Sequence, residues 1–357
     1  MNRSQSLALV LVAIPLLASC QQYELQAVTP RLIISDQVVT YVGKASPAKM
    51  MLAVDTSLSM LSEVGPADPS KKWDRLVEAF CGANGFLDGT REQRLGLATF
   101  PDDTQCAGGS IKLPIAGQSG LGVDEIKSFL RDLPPVGGTP IASTLRAIAA
   151  DADFMLEEPA TSRFVLLLTD GLPNCDDAEP PDCICTATDP TLCTGHGTTP
   201  GDTRNCLDED GTIDSVRALR EAGVETFVIG FGEGTSGSVA RQVLNAAAIE
   251  GGRARAGDTN YYQANSAAEL QAVLEQIRGQ LQSCNFSLEH SPADGRLISV
   301  TLHDVEDETE QQLTRGADWE YQVEDNSILV KDAACARIQQ TRLGKLQLRY
   351  AFVVAER

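Results

Sequence analysis

The sequence predicts an α/β fold. It is a doubly wound, mostly parallel sheet, interrupted by a cysteine-rich insert and followed by a small β-rich region. Three observations predict it. The runs MMLAVD (50–55) and FVLLLTD (164–170) are continuously apolar until the last residue or two and end in aspartate, the mark of strands buried on both faces. Strand-like and helix-like segments alternate from residue 47 to 282, which places helices on both sides of a parallel sheet. A polar stretch of roughly 172–211 carries five of the ten cysteines, too few apolar residues for a core of its own.

The elements follow in order. Residues 1–19 read as a targeting segment, with Arg3 ahead of the apolar run LALVLVAIPLLA, too short to span a bilayer stably. The run ends in Leu17-Ala18-Ser19-Cys20, which resembles the lipobox of bacterial lipoproteins and implies lipidation of Cys20. Gln21 stands where aspartate would signal inner-membrane retention, so the expected address is the outer membrane of a Gram-negative envelope. Residues 20–46 are expected as a tether, with a strand or two in RLIISDQVVTYVG. MMLAVD opens the sheet, KKWDRLVEAFCGANGFL reads as a helix, RLGLATF as a strand and IKLPIAG as an edge strand because it contains Pro114. VDEIKSFLRDL and IASTLRAIAADADFML read as helices, the second N-capped by Thr139 with Pro140 at its first position. After the insert come helix, strand, helix, a short strand near YYQAN and a last helix. Residues 283–357 are expected to be β-rich, with strands in RLISVTLH, DWEYQVE, SILVK and LQLRYAFVV.

Composition narrows the function. The 357 residues carry 29 Lys and Arg against 49 Asp and Glu, a formal charge of −20. Such a surface repels phosphate backbones and excludes nucleic acid as the expected partner. No enzyme signature stands out. The three histidines are His196, His290 and His303, no G-x-S-x-G occurs, Cys185 has no evident base, and GFGEG (230–234) lacks dinucleotide spacing.

The chemistry concentrates at two strand ends. In an open parallel sheet with strand order 3-2-1-4-5, the crevice beyond the first and fourth strands is the ligand site. Asp55, Ser57 and Ser59 leave the first of these strands, Asp170 leaves the other, and Thr139 precedes the helix leading into it. Two carboxylates and three hydroxyls suit a hard divalent cation such as Mg²⁺, with Mn²⁺ or Ca²⁺ as alternatives, and leave room for a carboxylate from outside. Singly, each residue has a plain role in a turn, a cap or a loop.

Asp55-Thr56-Ser57-Leu58-Ser59, Gly137-Gly138-Thr139-Pro140 and Thr169-Asp170-Gly171, in that order, resemble the von Willebrand factor A (VWA) domain with an intact metal-ion-dependent adhesion site, over residues 47–282. The resemblance implies that Asp55, Ser57, Ser59 and Thr139 touch the metal directly or nearly so, and Asp170 through water. It implies a protein or glycan ligand that offers a carboxylate. An envelope assembly scaffold without such capture is the alternative, and an enzyme that uses the Cys-rich insert is a third reading.

An oxidising compartment suits the cysteines. Without Cys20, nine remain, so one thiol is expected to be left over. Cys81–Cys106 and Cys284–Cys335 are the expected pairs. Cys175, Cys183, Cys185, Cys193 and Cys206 are expected to staple the insert and to hold the odd thiol. Zinc binding through those thiols and His196 is the alternative. DEDGTID (208–214) hints at calcium but misses the EF-hand spacing.

Overall fold

In a computed structural model, the described residues are 38–353 apart from 43, 46, 67, 105, 159–160, 176–183, 187–204, 282–283, 289, 293, 325 and 342–345. The expected signal segment, Cys20, Cys183, Cys193 and His196 lie outside them.

Strands β1 (Val38–Val42) and β2 (Lys44–Ala45) come first, and β3 (Lys49–Asp55) opens the central sheet. A hairpin of β4 (Glu63–Gly65) and β5 (Asp68–Lys71) leads into α1 (Lys72–Cys81) and the short α2 (Phe86–Gly89). Then come β6 (Arg94–Phe100), β7 (Ser110–Leu113), α3 (Val123–Asp132), α4 (Ile141–Ala149), α5 (Ala152–Met155) and β8 (Arg163–Thr169). After the insert follow α6 (Glu209–Glu221), β9 (Val224–Phe231), α7 (Ser238–Glu250), β10 (Tyr262–Ala264) and α8 (Ala267–Gln280).

The central sheet has six strands in the order β10-β9-β8-β3-β6-β7. Counted within the sheet, this is the expected 3-2-1-4-5 order with a sixth strand added. All neighbours are parallel except β7, the edge strand, which ends just before Pro114 and pairs antiparallel with β6. Every residue of β3 and of β8 is buried. The two-residue period of β3 divides two cores. Met50, Leu52 and Val54 pack with Leu76, Phe80, Ile126 and Leu274 under α1, α3 and α8. Met51 and Ala53 pack with Leu145, Val216 and Leu244 under α4, α6 and α7. Truncating a residue such as Leu52 to alanine would cost about 2–5 kcal/mol.

The long helix expected over 141–156 is two helices. Asp151 breaks it by accepting a hydrogen bond from the Phe154 amide (2.7 Å) and so capping α5. DEDGTID starts α6 rather than forming a loop.

The β-rich part contains β11 (Asn285–Ser287), β12 (Ser299–Asp304), β13 (Thr309–Gln312), β14 (Trp319–Gln322), β15 (Ser327–Val330), α9 (Asp332–Gln340) and β16 (Leu346–Val353). They form two antiparallel sheets, ordered β1-β16-β12-β13 and β14-β15-β11-β2, over a third core that includes Val300, Trp319, Ile328 and Tyr350. The end of the expected tether is therefore structural, because Val38–Val42 and Lys44–Ala45 pair into these sheets. In sequence, the α/β part is inserted between the second and third strands of the β-rich part. Helix α9 is an addition to the strands expected there.

Cys284 and Cys335 are bonded as expected. Cys81 and Cys106 are not. Cys106 is bonded to Cys175, and Cys81 is free and buried. The reason is the direction of α1. A crossover helix runs antiparallel to its parallel strands, so Cys81 at its C-terminus lies at the amino ends of the strands, whereas Cys106 follows the carboxyl end of β6. Cys81 sits instead against α3, with Sγ 3.9 Å from the Lys127 carbonyl oxygen. The leftover thiol among the described residues is thus in the core and not in the insert. Cys185 and Cys206 are disulfide-bonded, which removes their thiols from any zinc site. Among the described residues, no helix is long and apolar enough to cross a membrane.

Candidate metal centre

The centre is built where β3 and β8 end side by side. Asp55 closes β3, and its Oδ1 accepts a hydrogen bond from the Ser57 amide (2.8 Å), which turns the chain sharply. Thr56 holds this turn in place. Its hydroxyl donates to the Phe100 carbonyl (2.9 Å), and its own carbonyl accepts from the Val136 amide (2.7 Å). The chain then winds through one 3₁₀ turn, Leu58–Leu61. This carries Ser59 back over the crevice, where its hydroxyl donates to Asp170 Oδ1 (2.7 Å). With Ser59 donating onward, the Ser57 hydroxyl is the donor in the 2.8 Å Ser57–Ser59 contact. Thr169, the last residue of β8, donates from its hydroxyl to Asp55 Oδ2 (2.7 Å). Asp55, Ser57, Ser59 and Asp170 thus belong to one hydrogen-bonded cluster.

Thr139 lies in the adjoining loop. That loop is stitched to the serine turn by the Leu58 amide donating to the Gly137 carbonyl (3.1 Å). Gly137 has φ of 68°, which a residue without a Cβ adopts at no cost. The expected capping role of Thr139 is not realised. Helix α4 begins at Ile141, with Pro140 at its N-cap and no side chain capping it. Thr139 is held instead by its backbone. Its amide donates to Asn174 Oδ1 (2.6 Å), and its carbonyl accepts from the Asn174 amide (3.0 Å).

The electrostatics are those of a crowded anionic pocket. Asp55 and Asp170 are 0% and 1% exposed. Burial, and next the charge of Asp170, push the Asp55 carboxyl up to about 7, against the pull of hydrogen bonds from Ser57 and Thr169. Among the described residues, Lys72 is the cation that answers these carboxylates: its Nζ lies 2.8 Å from Asp170 Oδ2. With Lys72 as the one nitrogen donor against two carboxylates and the serine hydroxyls, the oxygen groups present fit a hard divalent ion. No cluster of three or more His, Cys, Asp and Glu side chains occurs among the described residues. The donors here are two carboxylates and hydroxyls.

Three contributors lie beyond the sequence expectation. Lys72 carries no signal in the sequence, yet it is buried. Asn174 gives no signal, since its partner Thr139 lies 35 residues away in sequence. Thr169 reads as the last strand residue, yet it orients Asp55. The glycines of GFGEG also have a local role. A Cβ on Gly234 would lie 2.8 Å from the Asp170 carbonyl oxygen.

No protein-family model matches the chain. No curated protein matches it. Among solved structures it is similar to the pilus adhesin SpaC from Lactobacillus rhamnosus GG, with 16% identity and a TM-score of 0.46 over 86% of this chain. The match covers 39% of that adhesin. It is similar to the PilB minor pilin from Streptococcus sanguinis, with 21% identity and a TM-score of 0.43 over 67% of this chain and 62% of the pilin. The manganese-loaded TRAP protein of Plasmodium vivax is a third, with 16% identity and a TM-score of 0.39 over 66% of this chain and 76% of that one.

Proposed function

We propose that this chain is a cell-envelope interaction module, anchored through Cys20, that binds one divalent cation and through it a protein or glycan ligand. The observation that carries the reading is the Ser57–Ser59–Asp170 chain of hydroxyls and carboxylate beside the buried Asp55, with one lysine against two acids. Asp55, Ser57, Ser59, Thr139 and Asp170 would hold the ion, in keeping with the adhesion-site pattern of their sequence. Mg²⁺ is the expected ion, with Mn²⁺ and Ca²⁺ as competitors. When bound, the ion would offer a coordination position to a ligand carboxylate.

This chain's own residues do the rest. Thr169 and the Ser57 amide aim Asp55, and Ser59 aims Asp170. Ser59 is exposed between the exposed Leu58 and Leu61, so an approaching ligand meets apolar surface beside the oxygens. The reading involves no catalytic step.

The test is a pull-down from envelope extracts with residues 21–357 as bait, in Mg²⁺ and in EDTA, beside calorimetric titration of Mg²⁺ and Mn²⁺. Metal binding with metal-dependent capture is expected. Metal binding with capture that EDTA leaves unchanged would favour a scaffold. No metal binding would overturn the centre.

A further inference from the structure

We infer that Lys72 is a built-in competitor for the cation: its ammonium sits on Asp170, holds the ligands in place when no ion is bound, and lowers the affinity of the centre for a divalent ion. This rests on the metal reading above and concerns how tightly that same site binds.

Lys72 is the first residue of α1, and its amide is fixed by the Ser62 carbonyl (2.9 Å). Its side chain does not reach for water. It is 6% exposed and runs inward to Asp170 Oδ2, while Asp170 Oδ1 takes the Ser59 hydroxyl. One carboxylate thus faces the serine turn with one oxygen and the lysine with the other. The path of the lysine is made by its neighbours. A Cβ on Gly232 would stand 2.8 Å from Lys72 Cε and 3.3 Å from Cδ, and Gly232 has φ of 88°, a conformation costly for any other residue. A Cβ on Gly234 would meet Asp170 O at 2.8 Å. The GFGEG stretch that precedes α7 therefore leaves the slot through which the lysine reaches the acid.

The consequence is electrostatic. Without Lys72 the pocket would hold two buried carboxylates; with it, one of the two charges is already balanced. An ammonium is a compact point charge without fixed coordination geometry, so it supports Asp170 without requiring the full ligand set. In a desolvated pocket its field opposes a second cation more strongly than it would in water. The centre should then fill and empty with the surrounding cation concentration and persist in shape when empty.

The test compares residues 21–357 with the Lys72→Met and Lys72→Gln variants, by calorimetric titration of Mn²⁺ and by thermal melting in EDTA. Glutamine retains a donor toward Asp170 in case methionine prevents folding. The expected result is a Kd for Mn²⁺ at least about tenfold tighter in the variants, with a lower melting temperature in EDTA that saturating Mn²⁺ restores. A variant that folds only with Mn²⁺ present equally supports the role of Lys72. An unchanged or weaker Kd in a folded variant, while the wild type binds, overturns that role and leaves the metal centre standing. Binding by neither wild type nor variants overturns both.

Discussion

Asp55 ends β3, Asp170 directly follows the neighbouring parallel β8, and the Asp170 amide lies 3.4 Å from Asp55 Oδ2. Two acids at the ends of adjacent strands share one desolvated space, and the fold maintains this at a cost. A carboxyl that holds its proton up to about pH 7 is a group the folded protein would rather keep neutral.

That cost has a sign. The folded-state pKa of Asp55 is raised above the unfolded value, so the folded chain binds more protons between about pH 4 and 7. Stability should fall as pH rises through that window. In EDTA, melting temperature should drop from pH 5 to pH 8, and saturating Mg²⁺ at pH 8 should restore it. Differential scanning calorimetry at both pH values checks this. A flat profile in EDTA would mean that Asp55 titrates as an ordinary aspartate.

Asp55→Asn separates stability from function. The amide keeps the shape of the side chain and removes one of two adjacent buried charges. In EDTA at pH 8 the variant should be more stable than wild type by at least about 1 kcal/mol, on the order of one pKa unit. Metal binding should be lost. A site tuned for a ligand rather than for stability behaves this way. A variant that is destabilised and still binds Mn²⁺ would contradict the assignment of Asp55 to the metal.

Ser59→Ala probes the exposed link. Ser59 joins Ser57 to Asp170 through two hydrogen bonds from solvent-exposed ground, so its removal should cost folding no more than about 1 kcal/mol. Removing one ligand of the expected set should still weaken Mn²⁺ binding by about tenfold or more. Chemical denaturation and calorimetric titration of the same sample distinguish the two effects. Equal losses in both would make Ser59 a structural residue only.

The free thiol gives a direct check on the core. Cys81 is 3% exposed, and burial pushes its thiol pKa up. In native residues 21–357, Cys81 should escape a disulfide reagent at pH 8 and be labelled after unfolding in guanidinium without reductant, as read by peptide mapping. Reduction of Cys284–Cys335, whose sequence separation is 51, should remove about 4 kcal/mol in the chain-entropy model. Rapid labelling of Cys81 in the native protein would contradict its place in the core.

Much of this was legible in the sequence because burial writes a clear pattern. β3 and β8 are buried at every residue, and both show in the sequence as apolar runs with an aspartate at or just after the end. Helix-strand alternation points to a parallel sheet, and the observed strand order is the one that brings Asp55 and Asp170 together. What escapes is set by distance along the chain. Val38–Val42 pairs with β16, more than three hundred residues later, so a strand looks like a tether. Lys72 finds its partner 98 residues away, and nothing local distinguishes it from Lys71. The Cys81–Cys106 expectation fails on helix direction, which the same α/β reasoning contains: a crossover helix ends at the opposite edge of the sheet from the strand's carboxyl end.

The Cys106–Cys175 disulfide bears on specificity. β6 and β8 flank β3 on either side, and each cysteine follows its strand's carboxyl end, so the bond spans the crevice side of β3 and ties the root of the insert to the opposite loop. Asn174, next to Cys175, grips the Thr139 backbone. The root of the insert is therefore part of the scaffold of the centre, and a reader of the ligand is expected in the rest. Any exposed carboxylate could complete the shell of a bound cation, so selectivity has to come from surface around it. Replacing residues 176–206 with a short Gly-Ser linker keeps Asn174 and Cys175 and removes Cys183, Cys185, Cys193 and Cys206 together. Mn²⁺ affinity should stay within about threefold of wild type, since the metal residues are untouched, while capture in the Mg²⁺ pull-down should disappear. Cys175→Ser should do the reverse in part: it loosens Asn174 against Thr139, and metal affinity should fall while the insert remains. If capture persists at wild-type strength after the replacement, the insert is a tolerated surface loop. The apolar pair Leu58 and Leu61 beside Ser59 would then be the next surface to mutate.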